Sequence, residues 1–280
     1  MRVRLLAALA LVCLSASLAL AQATDPLLYV AGFDVKPGKE KAFLDLVKKW
    51  DQPVFEKLAA EGAVMSWGID ASILHGPGTS SMDMWFILPD MGGLDRVYAA
   101  WDAMDERIAA EDEKAAAAAK AAGKAAPRST MDRILEVGDF AKHQDRLFRV
   151  LVTDGRPTEA KALPYIAVTY GRALPGKAQG YRAAWEKYFK PIYAKLLADG
   201  TIVGYGLSTE EVKTTDAYTH LSWVTMPNLA ARDKVRAAIL APSPAERDQR
   251  MKDLLDVGDP TATRGAILRS IIFNVAPPQR

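Results

Sequence analysis

The chain has 280 residues, one cysteine and a formal charge of +2, and half of its residues are hydrophobic. So balanced a charge leaves no electrostatic footprint for nucleic acid. Past the first twenty residues, no stretch reaches the roughly 18 continuous apolar residues of a membrane span.

The N-terminus reads as a secretory signal peptide over residues 1–23. Arg2 and Arg4 form a short basic region, LLAALALVCLSASLAL follows from Leu5 to Leu20, and small-residue cleavage sites lie at Ala19-Leu20-Ala21 and Ala21-Gln22-Ala23. The run is short and broken by serines, which argues against a membrane anchor. Val12 before Cys13 argues against a lipoprotein. Cleavage leaves about 255 residues with a charge near zero and no cysteine. A disulfide, a thiolate nucleophile and a cysteine-ligated metal are then excluded. The expectation is an exported bacterial protein, periplasmic or extracellular.

From residue 24 the elements follow in order. LLYVAGFDV (27–35) reads as a strand, and Pro37-Gly38 as a turn into a helix. The helix carries Phe43, Leu46, Val47, Trp50, Val54 and Leu58 at spacings of three and four, one apolar face. Pro53 lies inside it and predicts a kink or restart, and Gly62 ends it. Strands are expected near 63–74 and 81–88 with GPGTS (76–80) between them. A second helical region starts near Gly92, and a last strand covers about 145–153.

The same order then returns. PGKEKAFLDLVKKWDQPVFEKLAAEGAVMSWG (37–68) and PGKAQGYRAAWEKYFKPIYAKLLADGTIVGYG (175–206) align without a gap at an offset of 138, with ten of 32 positions identical. The offset holds through Trp85/Trp223 and Pro89/Pro227. It becomes 120 where ILEVGD (134–139) meets LLDVGD (254–259), which sets Arg149 opposite Arg269. The difference is an 18-residue insertion in the first copy, an Ala/Lys-rich helical extension near 107–127. The domains are therefore a first repeat over 24–153, a polar linker over 154–163 and a second repeat over 164–280.

Each copy has the order β-α-β-β-α-β, the ferredoxin-like arrangement. A four-stranded sheet with helices on one face leaves its other face bare, and two such sheets cover each other. The fold class is thus α+β: two tandem ferredoxin-like repeats forming an intramolecular dimeric α+β barrel. The element order, the repeated Pro-Gly and Gly positions and the helix pattern resemble the dimeric α+β barrel superfamily, including EthD-like and NIPSNAP-like proteins and antibiotic-biosynthesis monooxygenases. That resemblance implies a range of activities, from oxygenases and isomerases to haem enzymes and proteins without known activity.

The sequence carries no G-x-G-x-x-G, P-loop, G-x-S-x-G or H-E-x-x-H motif. Of the three histidines, His75 and His143 read as exposed, and His220 lies mid-strand where the first copy has Met82. No two have the spacing of a metal site, and none lies in a convincing helix of the second copy, where haem relatives place their axial ligand. No metal and no cofactor are expected, haem included. Strand alternation puts Trp67, Ile69, Trp85, Ile87, Tyr205, Leu207 and Trp223 on a helix-covered face. It leaves Asp34, Ser66, Asp70, Met82, Met84, Arg149, Tyr170, Arg172, Ser208, His220, Ser222 and Arg269 on the other. An internal ion-pair network and a ligand pocket are both open readings of that second set. As a pocket, its ligand-binding candidates are Asp34, Arg149, Tyr170, Arg172, His220 and Arg269, with His220 the catalytic candidate. The function expected is small-molecule binding or a structural role, with a cofactor-independent monooxygenase or isomerase of a small aromatic or polyketide-like compound as the alternative. A small molecule is the expected partner, and further self-association remains open.

Overall fold

The computed structural model describes residues 25–74, 80–139, 142–155, 164–213 and 217–275. The signal-peptide segment, His75, most of the GPGTS loop and most of the linker lie outside them. The first repeat runs β1 (Leu27–Phe33), α1 (Glu40–Ala60), β2 (Ser66–Ser72), β3 (Met82–Leu88), α2 (Met91–Ala121), α3 (Thr130–Val137) and β4 (Gln144–Gly155). The second runs β5 (Tyr165–Ala173), α4 (Ala178–Tyr188), α5 (Lys190–Ala198), β6 (Gly204–Glu210), β7 (His220–Met226), α6 (Ala230–Leu240), α7 (Pro244–Leu255) and β8 (Gly258–Val275).

Local chemistry accounts for the ends of these elements. Gly38 and Gly176, at φ +78° and +73°, turn the chain into the first helix of each repeat, and Gly62 and Gly200 close the same helical segments at +72° and +76°. Ser129 and Ser243 start α3 and α7 with capping boxes to Asp132 and Glu246. The two repeated prolines behave differently. Pro191 falls in the first turn of α5, where a missing N–H is tolerated, and the helical segment restarts at Phe189. Pro53 is carried inside the continuous α1, so of the expected kink or restart the restart does not occur. The Ala/Lys-rich stretch prolongs α2 to 31 residues, against 11 for α6.

The eight strands close a barrel in the order β1-β3-β2-β8-β5-β7-β6-β4, antiparallel at every seam. Each repeat therefore supplies four contiguous strands, and β2–β8 and β6–β4 join the repeats. Both joins shift register at equivalent places: β8 skips Ile271 opposite Ile69/Asp70, and β4 skips Leu151 opposite Ser208/Leu207. The fold is a tandem ferredoxin-like α+β barrel.

The helices cover the outer face of the barrel. In the first repeat Phe55 of α1 stacks on Trp67 at 5.4 Å and meets Phe86 at 5.2 Å. In the second, Trp185 and Tyr193 pack on Tyr205. A separate apolar cluster, including Leu28, Val30, Phe148, Ile166, Val168 and Leu221, lines the barrel interior. Burying any one of these side chains contributes about 1.5–3 kcal/mol. No helix of the described residues is long and apolar enough to cross a membrane.

Candidate active site in the barrel interior

Strand register decides which side chains face inward. Across β2 and β3, Trp67 pairs with Phe86, Gly68 with Trp85, Ile69 with Met84 and Asp70 with Asp83. Directly opposed residues share a face, so the run Met82, Met84, Phe86, Leu88 goes outward with Trp67 and Ile69. Asp83, Trp85 and Ile87 go inward with Ser66 and Asp70. In the second repeat Gly206 pairs with Trp223, which also goes inward. This corrects the sequence-based sorting: Trp85, Ile87 and Trp223 line the interior, and Met82, Met84 and His220 lie under the helices.

The interior holds a cavity of about 550 Å³. Trp85, Trp223 and Phe273 form its aromatic walls, Trp85 and Phe273 standing 5.4 Å apart. At one end the polar groups converge. Asp70 and Asp83 face each other across β2 and β3, and Tyr170 joins them from β5. Arg146 of β4 donates from Nη1 to the Tyr170 hydroxyl at 3.1 Å and from Nη2 to Gln144 Oε1 at 3.1 Å. Its guanidinium lies 5.8 Å from the Tyr170 ring centre, and Tyr170 packs on Tyr218 at 4.8 Å.

The two carboxyls are not equivalent. Ser270 Oγ donates to Asp70 at 2.6 Å, and the Ser80 hydroxyl bonds Asp83. Burial drives the Asp70 pKa up to about 7; the Ser270 hydrogen bond pulls it back and the nearby Asp83 charge adds to the rise. Burial also raises Asp83, but the Ser80 hydroxyl and the Arg146 charge oppose it. Asp83 is thus the carboxylate matched to the guanidinium, and Asp70 the group poised to exchange a proton at neutral pH. Burial raises the Tyr170 phenol well above its ordinary range, so it stays a donor.

Of the six candidate ligand-binding residues, the interior receives one, Tyr170. Asp34 sits beyond the end of β1, half exposed and 3.9 Å from Lys142, which also pairs with Asp139. Arg172 instead bonds Asp259, which stands at the repeat position of Asp139. Arg149 points outward into a two-pronged pair with Glu211 at 2.6 and 2.8 Å, and Arg269 is exposed. His220 is 1 % exposed, stacked on Tyr181 of α4 at 4.5 Å with Thr219 Oγ1 2.8 Å from its Nδ1. Burial lowers its pKa to about 4. It fills the core position that Met82 fills in the first repeat, so the expected grouping of His220 with Tyr170 and Arg172 does not form. The residues missed were Asp83 and Arg146, and Asp70, sorted to the right face, was not among the site candidates. The signal for Asp83 was the unbroken apolar alternation Met82, Met84, Phe86, Leu88, which marks the covered face and sends Asp83 to the other.

No family model matches the sequence, and no curated protein matches it. Solved structures match over most of the chain. A "Putative monooxygenase" from Fusobacterium nucleatum aligns over 90% of this chain and 95% of its own, at 13% identity and a TM-score of 0.57. An "anthrone oxidase-like protein" aligns over 93% and 97%, at 11% identity and 0.52. A "putative monooxygenase" from Lactobacillus acidophilus aligns over 89% and 100%, at 10% identity and 0.54. At these identities the likeness is one of fold, the dimeric α+β barrel.

Weaker matches correct one expectation. They include a chlorite dismutase from Candidatus Nitrospira defluvii (8% identity over 88% and 91%, TM-score 0.47) and a heme-binding protein from Thermus thermophilus (10% over 88% and 91%, 0.48). The expectation of no cofactor, haem included, is withdrawn. Among the described residues His220 is enclosed, and His143 is the histidine beside a cavity, between the first repeat's sheet and helices. Asp51, Asp105 and Asp145 line that cavity with it, and Lys49 and Arg107 stand over the ring of Trp50 on its wall. Among the described residues no group of three or more His, Cys, Asp or Glu is placed to hold a metal ion.

Proposed function

We propose that the barrel interior binds a small aromatic ketone and removes a proton from the carbon activated by its carbonyl, the opening step of an oxygenation or an isomerisation. The observation that carries this reading is the convergence of Asp70, Asp83 and Tyr170 at one end of an apolar, tryptophan-walled cavity, with Arg146 bonded to the Tyr170 hydroxyl from behind. A cavity of about 550 Å³ suits a compound of two or three fused rings. Trp85 and Trp223 offer ring faces to it.

The roles follow from the electrostatics. The Asp70 carboxylate accepts the proton from carbon, its pKa of about 7 matching a general base at neutral pH. As the C–H bond breaks, its electron pair moves onto the carbonyl oxygen. The Tyr170 hydroxyl donates a hydrogen bond to that oxyanion, and Arg146, bonded to the same hydroxyl, supplies positive charge behind it. Asp83 balances Arg146 in the absence of substrate. An isomerase returns the proton from Asp70 to a different carbon. An oxygenase converts the methylene with dioxygen, CH2 + O2 giving C=O + H2O. The likeness to structures described as monooxygenases and as anthrone oxidase-like supports the second outcome.

Anthrone, with one acidic methylene opposite a ring carbonyl, is the probe. Oxygen uptake and anthraquinone formation are followed with the purified protein. Saturable turnover, reduced by roughly two to four orders of magnitude in Asp70→Asn, is expected. Turnover at the buffer rate, or an unaffected Asp70→Asn, contradicts the reading.

A further inference from the structure

The two repeats differ at the position that sets the charge of the space beneath their helices. In the second repeat Phe189 fills it, packed between Trp185 and Tyr193. At the offset of 138 the first repeat has Asp51 there, and Trp101 and Tyr29 stand where the second has Ile239 and Ala167. The fold is satisfied by an apolar residue at that place, yet the first copy sets a carboxylate under the helices.

Around it lies a cavity of about 410 Å³ between the outer face of the sheet and α1, α2 and α3, separate from the barrel interior. Its walls are aromatic: Tyr29, Trp50, Tyr98 and Trp101, with Trp101 meeting Tyr29 at 6.4 Å and Tyr98 at 5.6 Å. Asp51, Asp105 and Asp145 add three carboxyls, and Lys49 and Arg107 stand over the Trp50 ring at 4.1 and 5.3 Å, leaving Tyr29, Tyr98 and Trp101 as the ring walls for a ligand. The Tyr29 hydroxyl bonds Asp145, whose Oδ2 also lies 2.9 Å from His143 Nε2. Trp50, on the same wall, is 3 % exposed, and its indole Nε1 has no hydrogen-bond partner among the described residues.

We infer that this cavity is a second binding site, for a small organic ammonium ion carrying a hydroxyl or ether oxygen. Ring faces and carboxylates together attract a cation that is too weakly hydrated to prefer water. The unpartnered Trp50 N–H supplies a donor for the oxygen. Asp51 lies close to a second carboxyl, Asp105; burial first raises its pKa to about 7, against the hydrogen bond from the Trp101 side chain, and a cation between the two carboxyls offsets their repulsion. The inference does not depend on chemistry in the barrel interior.

The test is calorimetric titration of the intact protein with choline and with 3,3-dimethylbutan-1-ol, its uncharged isostere. Choline is expected to bind at least ~10-fold more tightly than the alcohol. Asp51→Asn should weaken choline at least ~10-fold, and Asp51→Phe, which installs the second repeat's residue, should abolish binding in a protein that still unfolds cooperatively. Anthrone turnover should be unchanged in both. Equal affinity for choline and the alcohol, no choline binding by the folded wild type, or choline affinity indifferent to Asp51→Asn would each overturn the inference.

Discussion

Trp223 lies flat over Gly206, so closely that a Cβ on the glycine would stand 2.1 Å from the indole ring. Trp85 covers Gly68 in the same way, at 2.7 Å. Both pairs are cross-strand neighbours, and both repeat at the offset of 138. The two glycines let the indoles lie along the barrel wall, leaving the space between them open as the cavity.

Gly206→Ala should therefore push the Trp223 ring into the interior. A strained core insertion of this kind costs typically 1–3 kcal/mol. For a chain of this size that is a fall in Tm of about 2–4 °C per kcal/mol. Thermal unfolding measures it, and anthrone KM should rise with the smaller cavity. A Tm equal to wild type would show that the ring has another place to go.

Asp70 couples the site to stability. Its folded pKa, about 7, lies above the usual carboxylate value near 4. A raised carboxyl contributes stability that is full below the unfolded pKa and is lost as pH rises through the folded one. Asp70→Asn should thus gain on wild type between pH 4 and 7, by roughly 4 kcal/mol at most. Denaturant midpoints at several pH values report it. Wild-type turnover should rise over the upper part of the same window as the base ionises.

Tyr170→Phe removes the hydroxyl assigned to the oxyanion and keeps the ring that packs on Tyr218. Loss of one such donor lowers kcat by about 10²–10³-fold. KM should change much less, because the ring walls do the binding. A rise in KM with kcat intact would mean that the hydroxyl binds the ground state.

His220→Met transplants the first repeat's residue into the second repeat's core. His220 titrates near 4 when folded, below its usual 6.5. A depressed histidine contributes stability present above the unfolded pKa and lost as pH falls through the folded one. Wild type should lose about 3 kcal/mol between pH 6.5 and 4 that the variant keeps. Anthrone turnover should be unaffected, since His220 lies on the far face of the sheet.

The fold was legible because its determinants are local and doubled. Gly38, Gly62, Gly176 and Gly200 hold positive φ at the turns, the helices show one apolar face, and the offset of 138 makes each copy a check on the other. The site was less legible because it depends on register. A strand alternates whichever way it faces, and whether Trp85 or Phe86 turns inward is settled by pairing with Gly68 and Trp67. The tryptophans misled the sorting, since large aromatics read as core, while here they wall a cavity. Tyr170 was identified from its own strand alone. Arg146 escaped because it lies near the start of β4, among the charged residues Asp145 and Arg149 that point the other way.

The most direct test of the account is proton exchange at carbon, before any oxidation. Anthrone is incubated anaerobically in deuterated buffer with wild type and with Asp70→Asn, and NMR follows loss of the methylene signal. The account predicts exchange catalysed by wild type, half-maximal near pH 7, and reduced to the buffer rate by Asp70→Asn. Exchange at the buffer rate with wild type, or the same catalysis from Asp70→Asn, would contradict a proton-abstracting site in the barrel interior.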